Sequence, residues 1–262
     1  MVVCCGEFIR NTVEEKPFLS GAWLAGLLIK PQLLILIVPL LLIMRYWKVL
    51  CGFVVTAGFI GAISYFLTGI DGFIALMKLW VQFPTEYGGS NAVSGAEMMI
   101  NWRMIGLNTN RLINSSVGWV ITLVGIALTI TVVFLIMKTR PILGSPGWVV
   151  SMLGVFSATL AVTWHSHYHM ALVLIPLLIY TTAFKLIPEI VFYLYSVITP
   201  LSVFGSVLIY QALHFLMKSQ LMDETGMIIA VSGFLMNMVI LYWAFRNTYM
   251  VKAKVETKIE DS

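Results

Sequence analysis

The stretch AGLLIKPQLLILIVPLLLIMRYWK, residues 25–48, decides the fold of this chain. It lies in an apolar run that is long enough to cross a bilayer, because a spanning helix needs about 20 apolar residues. Lys30 and Pro31 interrupt that run: proline removes a backbone donor, and a lysine that faces lipid is costly. Each remaining half, 19–29 and 32–44, is too short for a comfortable crossing. The stretch therefore predicts a broken helix or a re-entrant hairpin, which persists only where the break faces protein or water.

Composition places the whole chain in the membrane class. Of its 262 residues, 60% are hydrophobic and 11% are charged, with a mean hydropathy of +0.93, whereas a soluble domain carries about 25% charged residues. The net charge of +4 does not predict nucleic-acid binding, because the basic residues sit in short connections rather than in one stripe. Further apolar segments cover 49–68, 113–137, 147–164, 169–185, 190–215 and 226–245. We therefore predict an all-α integral membrane protein.

The predicted architecture is a polytopic helical bundle of about seven spans, counting the interrupted one. The transmembrane domain covers residues 1–248. A charged tail, 249–262, follows it and is expected to be disordered, because its mixed charges leave little apolar surface to bury.

The distribution of Lys and Arg predicts the orientation of the bundle. If the turn that carries Arg45 and Lys48 is cytoplasmic, eleven basic residues fall inside and four outside. The inside set is Arg10, Lys16, Arg45, Lys48, Lys138, Arg140, Lys185, Arg246, Lys252, Lys254 and Lys258, and the outside set is Lys78, Arg103, Arg111 and Lys218. We expect a multi-pass protein of the cell membrane with a cytoplasmic C-terminus and an extracytoplasmic working face.

The longest connection, residues 69–112, lies on the predicted outer face. Connections of this length are functional or disordered, and the composition argues against disorder. Its first part has apolar residues at helical spacing: Ile70, Phe73, Ile74, Met77, Trp80 and Val81. This pattern predicts an amphipathic helix on the outer leaflet. The turn-rich segment that follows is expected to form a structured external loop.

Lys30 and Arg103 are the basic residues best suited to meet a phosphate. A lysine inside an apolar run is a functional residue by default, and lysine binds phosphate as a point charge. Gln32 beside it can donate two N–H bonds. Arg103 follows Asn101 in the loop, and its guanidinium recognises phosphate bidentately. A snorkelling Lys30 and a solvated Arg103 remain the structural alternatives.

Three of the four histidines, His165, His167 and His169, lie within five residues of one another. Imidazoles there can move protons, bind a metal or, when protonated, hold a phosphate. No carboxylate or cysteine is adjacent, so we expect no metal, and interfacial histidines in a polar turn remain the alternative. Asp71, just past Gly69, is the external carboxylate best placed for chemistry, although a lone Asp before a helix is more often an N-cap.

These segments resemble glycosyltransferase family 87, which belongs to the membrane superfamily of GT-C fold and whose members are similar to the phosphatidylinositol-mannoside mannosyltransferase. The break Lys30-Pro31-Gln32, followed by a helix and the basic turn RYWK, residues 45–48, is similar to the family's signature. The segment MMINWRMIGL, 98–107, is similar to its Asn-x-Arg-Gly-Leu element, with extra residues before the glycine. The segment WHSHYHMALVLIPLL, 164–178, looks like the histidine-bearing start of a later span. The resemblance covers roughly residues 7–245.

The resemblance implies a membrane glycosyltransferase that moves a hexose, often mannose, from a polyprenyl-phosphate sugar to a lipid or glycan acceptor outside the cytoplasmic membrane. It implies no cofactor and no nucleotide sugar at the site. We assign donor-phosphate binding to Lys30, Gln32, Asn101, Arg103 and His165, and catalysis to His167, His169 and Asp71. The family's catalytic acid, in a loop after the first span, has no counterpart here. The resemblance is therefore to the C-terminal part of such an enzyme and implies a separate N-terminal half as partner.

A non-enzymatic polytopic membrane protein is the competing interpretation. It would be a transporter, a lipid-binding accessory subunit or a degenerate glycosyltransferase remnant. A broken helix with a midplane lysine also suits transporters, but the sequence has no repeat between its halves, which transporters usually show. A third interpretation is a pH-sensing or metal-binding membrane protein that uses the histidine cluster.

Overall fold

The computed structural model describes residues 1–86, 99–113, 115–163, 168–197 and 220–260, with the backbone alone for 79–86, 111–112, 115–116, 168–169, 220–229 and 251–260. Its helices are α1 (Val2–Val13), α2 (Pro17–Ala25), α3 (Ile37–Ile43), α4 (Trp47–Glu86), α5 (Trp102–Leu112), α6 (Ser115–Lys138), α7 (Pro146–Val162), α8 (Leu174–Ala183), α9 (189–197, as far as described) and α10 (Gln220–Glu260). Short 3₁₀ segments cover Gly26–Ile29, Pro31–Leu34 and Tyr168–Val173. These described residues contain no β-strand, which confirms the all-α prediction for them.

Helix α7 is the centre of the bundle. Every side chain from Gly147 to Ala161 is buried. A helix that is apolar on all sides must be surrounded, and α6, α8 and α10 pack around this one. Phe8 of α1 closes the remaining side, with its ring 5.7 Å from that of Trp148 and 6.4 Å from that of Phe156. Neighbouring helices of the same chain therefore cover α7.

Helices α4 and α6 have the opposite character. The segments Trp47–Lys78 and Val117–Lys138 are long enough to cross a membrane, and their most apolar windows have mean hydropathies of 2.0 and 2.8. Only 17% and 33% of their most apolar windows are buried, and large side chains such as Phe66 and Phe134 are exposed. The core helix of a soluble protein would be mostly covered. The structure therefore contains two helices with the length and composition of membrane spans.

The other predicted spans correspond to the structure in part. The segment 169–185 is a 3₁₀ segment followed by α8, and 226–245 lies within α10. Of the predicted span 190–215, residues 190–197 are helical and the rest lies outside the described residues. The number of spans therefore stays a prediction.

The interruption at Lys30 is present. The segments Gly26–Ile29 and Pro31–Leu34 are 3₁₀ rather than α-helical, and Lys30 between them has φ −135° and ψ 76°, outside the helical region. Proline cannot donate the hydrogen bond that would continue the helix, and it disfavours helical dihedrals in the residue before it. The sequence-based prediction of a broken helix is confirmed.

One end of the bundle collects the basic connections. The Tyr46 hydroxyl, whose pKa is raised by burial, donates to the Pro141 carbonyl at 2.5 Å and joins the α3–α4 turn to the α6–α7 loop. Gly144 in that loop packs against the carbonyl of Thr12 near the end of α1. We call this the basic end; its connections carry Arg10, Lys16, Arg45, Lys48, Lys138 and Arg140.

The interrupted run starts at the basic end. The Ser20 hydroxyl of α2 donates to the Phe8 carbonyl of α1 at 2.9 Å, and the turn after α3 is tied to the α6–α7 loop by the Tyr46–Pro141 bond. Helix α4 then packs antiparallel to α2, because Gly52 lies against the carbonyl of Phe18 and Gly21 against that of Val49. The return of the chain to its starting side, which a re-entrant hairpin requires, stays a prediction. Helix α7 starts at the basic end and is followed by Thr163 at the far end of the bundle.

A reciprocal pair of polar side chains joins the two central helices. The Ser157 hydroxyl of α7 donates to the Asn237 side-chain oxygen of α10 at 2.5 Å, and the Asn237 amide donates to the Ser157 carbonyl at 2.9 Å. Both residues are buried. An interhelical hydrogen bond in an apolar bundle contributes about 1 kcal/mol, and an acceptor left without its donor costs about 1–3 kcal/mol.

We expect Asn237→Ala to lower the free energy of unfolding by about 1 kcal/mol, because it removes both bonds through the Asn237 side chain while the Ser157 hydroxyl keeps the backbone carbonyl of residue 237 as an acceptor at 2.8 Å. The measurement is denaturant unfolding in detergent micelles. Asn247→Ala is the matched control, since the Asn247 amide bonds only to the Trp243 carbonyl of its own helix, at 2.9 Å. Equal losses in the two variants would contradict an interhelical role for Asn237.

The C-terminal tail differs from the prediction. Helix α10 continues to Glu260, whereas we expected a disordered tail at 249–262. Lys, Ala and Glu favour helix, and a helix that already exists extends by one hydrogen bond per residue without a new nucleus. The prediction of disorder is therefore wrong up to Glu260; residues 261–262 lie outside the described residues.

The connection 69–112 also differs from a purely external loop. Helix α4 is interrupted at Gly69, whose φ of 65° and ψ of −174° are not helical, and a second helical segment continues to Glu86; the amphipathic character of that segment stays a prediction. Met99, Ile100 and Met104, by contrast, are buried in the bundle. Around Arg103 the structure therefore has a buried segment and a helix rather than a solvated loop, and the side of the membrane on which they lie stays a prediction.

Candidate functional site

A buried asparagine begins α5 and ties it to α7. Asn101 is extended, with φ −137° and ψ 170°, and its side-chain oxygen accepts the backbone N–H of Met104 at 2.9 Å. This is an N-cap, which satisfies a donor that the first helical turn leaves open. The Asn101 amide donates to the Thr163 carbonyl at 2.8 Å. One side chain therefore holds the start of α5 against the end of α7.

Arg103 lies on the first turn of α5 beside this link and is only 9% exposed. A guanidinium stays charged in proteins and presents five N–H donors in one plane. Burial of such a charge is tolerated where hydrogen-bond acceptors or an anion meet it. The N-terminal end of a helix adds positive potential. Arg103 therefore places a buried positive charge near the end of α7.

The position of Arg103 is fixed by close packing of α5 on α6. Gly106 and Gly118 let the two backbones approach until a Cβ on either glycine would overlap the other helix. The Trp102 indole donates to the Thr129 hydroxyl at 2.8 Å, and its ring lies 4.9 Å from that of Phe234 in α10. We define Asn101, Arg103 and Thr163 as the far-end cluster; α5, which carries Arg103, packs on α6 and reaches α10 through Trp102.

Lys30 and Gln32 lie at the break in the interrupted run and are half-buried. Gly26 just before them packs on Cys4 at the start of α1, so the break is distant from the basic end, where α1 finishes. The segment Pro31–Leu34 packs against α7. Within the described residues, no hydrogen bond or ion pair joins Lys30 or Gln32 to the far-end cluster. The break at Lys30 and the far-end cluster therefore both lie against α7, but no described hydrogen bond or ion pair connects them.

The histidines follow the cluster directly in the chain. Residues 164–167, which include His165 and His167, lie outside the described residues. For His169 the backbone is described, in the 3₁₀ segment Tyr168–Val173. Thr163, which Asn101 holds, is the last described residue before them. The roles assigned to the three histidines stay predictions.

Asp71 is separate from these groups. It is exposed and lies two residues past Gly69 on α4, where no side chain between 54 and 78 is buried. Helix α4 packs chiefly against α2 and α3 near its start. The structure does not bring Asp71 to the far-end cluster, and its catalytic role stays a prediction.

Sequence reasoning did not single out Thr163, and it did not identify α5 as a helix. The signal was present: an asparagine directly before a segment with helical periodicity is a typical N-cap. The structure also changes the interpretation of Asn101, because its oxygen and its amide both bind backbone groups. Asn101 thus acts as a positioning residue for Arg103, and its predicted contact with a phosphate stays a prediction.

Comparison with known proteins adds no assignment: no family model, no curated protein and no solved structure matches this chain. The resemblance to glycosyltransferase family 87 therefore rests on the quoted sequence segments alone.

Proposed function

We propose that this chain is a multi-pass protein of the cell membrane whose basic end lies on the cytoplasmic side. The exposed apolar surfaces of α4 and α6 support this proposal, since lipid is the solvent in which such surfaces are stable. The gathering of Arg45, Lys48 and Arg140 at one end supports the orientation, because cytoplasmic connections carry the excess of Lys and Arg. The far-end cluster then belongs to the extracytoplasmic half of the bundle.

We propose further that the far-end cluster binds the phosphate of a polyprenyl-phosphate sugar and that the chain takes part in glycosyl transfer to a lipid or glycan acceptor. The observation that carries this proposal is that Arg103 is buried on the first turn of α5. The N-cap of that helix, Asn101, binds Thr163, the residue directly before the histidine segment 164–169. Cleavage of the sugar–phosphate bond leaves charge on the phosphate. Preorganised donors in a dry site stabilise such charge far better than water does.

In this proposal the role of each residue follows from the chemistry of its side chain. Arg103 grips the donor phosphate bidentately, and Lys30 adds a second positive charge from the break in the interrupted run. His167 and His169 move the proton of the acceptor hydroxyl, because imidazole titrates near neutral pH. The position of Asp71, exposed on α4, leaves this proton transfer to the histidines or to a partner half of the enzyme.

We expect Arg103→Gln to lower sugar transfer from a labelled polyprenyl-phosphate mannose in native membranes by roughly tenfold or more, because a hydrogen bond to a charged group contributes about 1.5–3 kcal/mol. Arg246→Gln is the matched control, since Arg246 is an exposed arginine on α10. Equal transfer by both variants would remove Arg103 from the site. Donor binding without any transfer would instead favour a lipid-binding accessory subunit.

A further inference from the structure

Among the residues that the structure describes, four other than glycine adopt the left-handed backbone conformation, and each follows the end of a helix. They are Glu15 after α1, Arg45 after α3, Arg140 after α6 and Lys185 after α8, with φ between 49° and 59°. Their backbones close the helices: the N–H of Arg45 donates to the Leu42 carbonyl at 3.0 Å, and that of Lys185 to the Thr182 carbonyl at 2.8 Å. Glycine is the usual residue at this position, because a side chain there is strained.

Three of these four strained positions hold a cation. A glycine at these positions would end the helix with less backbone strain. The basic side chains there therefore serve a purpose other than ending the helix. A left-handed residue turns its side chain away from the helix that it ends, and Arg45 and Arg140 are indeed exposed. A cation at a helix C-terminus also meets favourable negative potential.

Two of these cations belong to neighbouring turns. Arg45 precedes Tyr46, whose hydroxyl donates to the carbonyl of Pro141, and Pro141 follows Arg140. Lys48, also exposed, lies one turn further on. We call Arg45, Lys48 and Arg140 the basic patch. Among the residues that the structure describes, the ion pairs are confined to α1 and the turn after it, so no carboxylate there neutralises the patch.

An apolar groove begins beside the basic patch. It lies between α3 and α4, has a volume of about 580 Å³ and presents almost no polar surface. Its walls include Val38 and Leu42 of α3 and Trp47, Cys51 and Val54 of α4. Trp47, at the patch end, is 58% exposed and suits a membrane interface, where indole is enriched. The groove is therefore apolar along its length and positively charged at one end.

We propose that this groove and the basic patch form a binding site for an anionic glycerophospholipid. One acyl chain lies between α3 and α4, and the phosphate meets Arg45, Lys48 and Arg140. Charge complementarity selects the ligand, because basic sites beside membrane helices at the cytoplasmic surface attract anionic headgroups. This inference rests on the membrane placement proposed above, but it is independent of glycosyl transfer and of the far-end cluster.

The test uses Cys51, an exposed thiol in the groove wall, as the attachment point for a fluorophore. Cys5 is buried, and Cys4→Ser removes the remaining partly exposed thiol. The labelled chain is reconstituted in phosphatidylcholine vesicles that contain brominated phosphatidylglycerol or brominated phosphatidylcholine, whose bromine atoms quench a dye in contact with the chains. We expect half-maximal quenching at a several-fold lower mole fraction of the anionic lipid.

Exchange of the left-handed residues for glycine separates this role from a structural one. We expect Arg45→Gly with Arg140→Gly to abolish the preference for the anionic lipid without lowering the unfolding temperature, because glycine suits both backbones. Glu15→Gly is the matched control: it makes the same backbone change without removing a cation and should keep the preference. Equal quenching by both lipids in the unsubstituted protein, or an unchanged preference in the double variant, would overturn the site. Absence of quenching by either lipid would contradict the membrane placement itself.

Discussion

Gly52→Leu is expected to separate α2 from α4 and to cost the protein about 3 kcal/mol of unfolding free energy or more. A Cβ at Gly52 would overlap the carbonyl oxygen of Phe18, and one at Gly21 would overlap that of Val49. The obstacle in both cases is backbone, which cannot rotate away as a side chain can. Overpacking in a tight contact costs about 1–3 kcal/mol where side chains can adjust, so the cost here lies at the upper end or above it.

Gly58→Leu on the same helix is the control for this prediction. A Cβ at Gly58 meets nothing within 4 Å, and leucine there adds apolar surface to a helix that is already exposed and apolar. Unfolding in detergent micelles and the yield of folded protein should drop for Gly52→Leu and stay at the parent level for Gly58→Leu. A parent-like Gly52→Leu variant would show that α2 and α4 are not in backbone contact.

Asn101→Ala is the second substitution for which we expect a large effect. It removes the N-cap of α5, which contributes about 1 kcal/mol. It also takes the donor from the buried Thr163 carbonyl, at a cost of about 1–3 kcal/mol. We therefore expect a loss of about 2–4 kcal/mol in the free energy of unfolding, together with a loss of sugar transfer, because Arg103 is no longer held beside α7.

Asn101→Ser separates the two effects. A serine hydroxyl still caps α5 through the Met104 N–H, but it is too short to reach the Thr163 carbonyl as the asparagine amide does. We expect Asn101→Ser to regain part of the stability while transfer stays low, as measured by unfolding and by the transfer assay on the same preparations. Recovery of transfer in proportion to stability would mean that Asn101 serves the fold alone.

Local chemistry made the break at Lys30 predictable from sequence. Lys30-Pro31 excludes a continuous helix by backbone geometry, without reference to the rest of the fold. The segment of α7 was predictable only as one apolar segment among several, because α6 is as apolar and stays largely exposed. Charge also predicts that the α3–α4 turn and the α6–α7 loop lie on one side, and the Tyr46–Pro141 bond brings these two connections together.

The structure of the far-end cluster depends on contacts that no sequence pattern contains. Arg103 was expected in an external loop, because its neighbours Asn101 and Trp102 are polar or interfacial residue types. It is buried because Gly106 and Gly118 allow α5 to approach α6 closely, and glycines in a turn-rich segment do not indicate such an approach. The sequence predicts a disordered tail for a similar reason. Composition does not show that α10 is already helical before the tail begins and can extend into it.

The central claim is that Arg103 in the far-end cluster binds a lipid phosphate. It is tested most directly by equilibrium binding of a fluorescent polyprenyl-phosphate sugar to the purified chain in detergent. We predict saturable binding that Arg103→Gln weakens roughly tenfold or more and that Arg246→Gln leaves unchanged. Equal affinity of the Arg103→Gln variant and the unsubstituted protein, or no saturable binding by the unsubstituted protein, would contradict the claim.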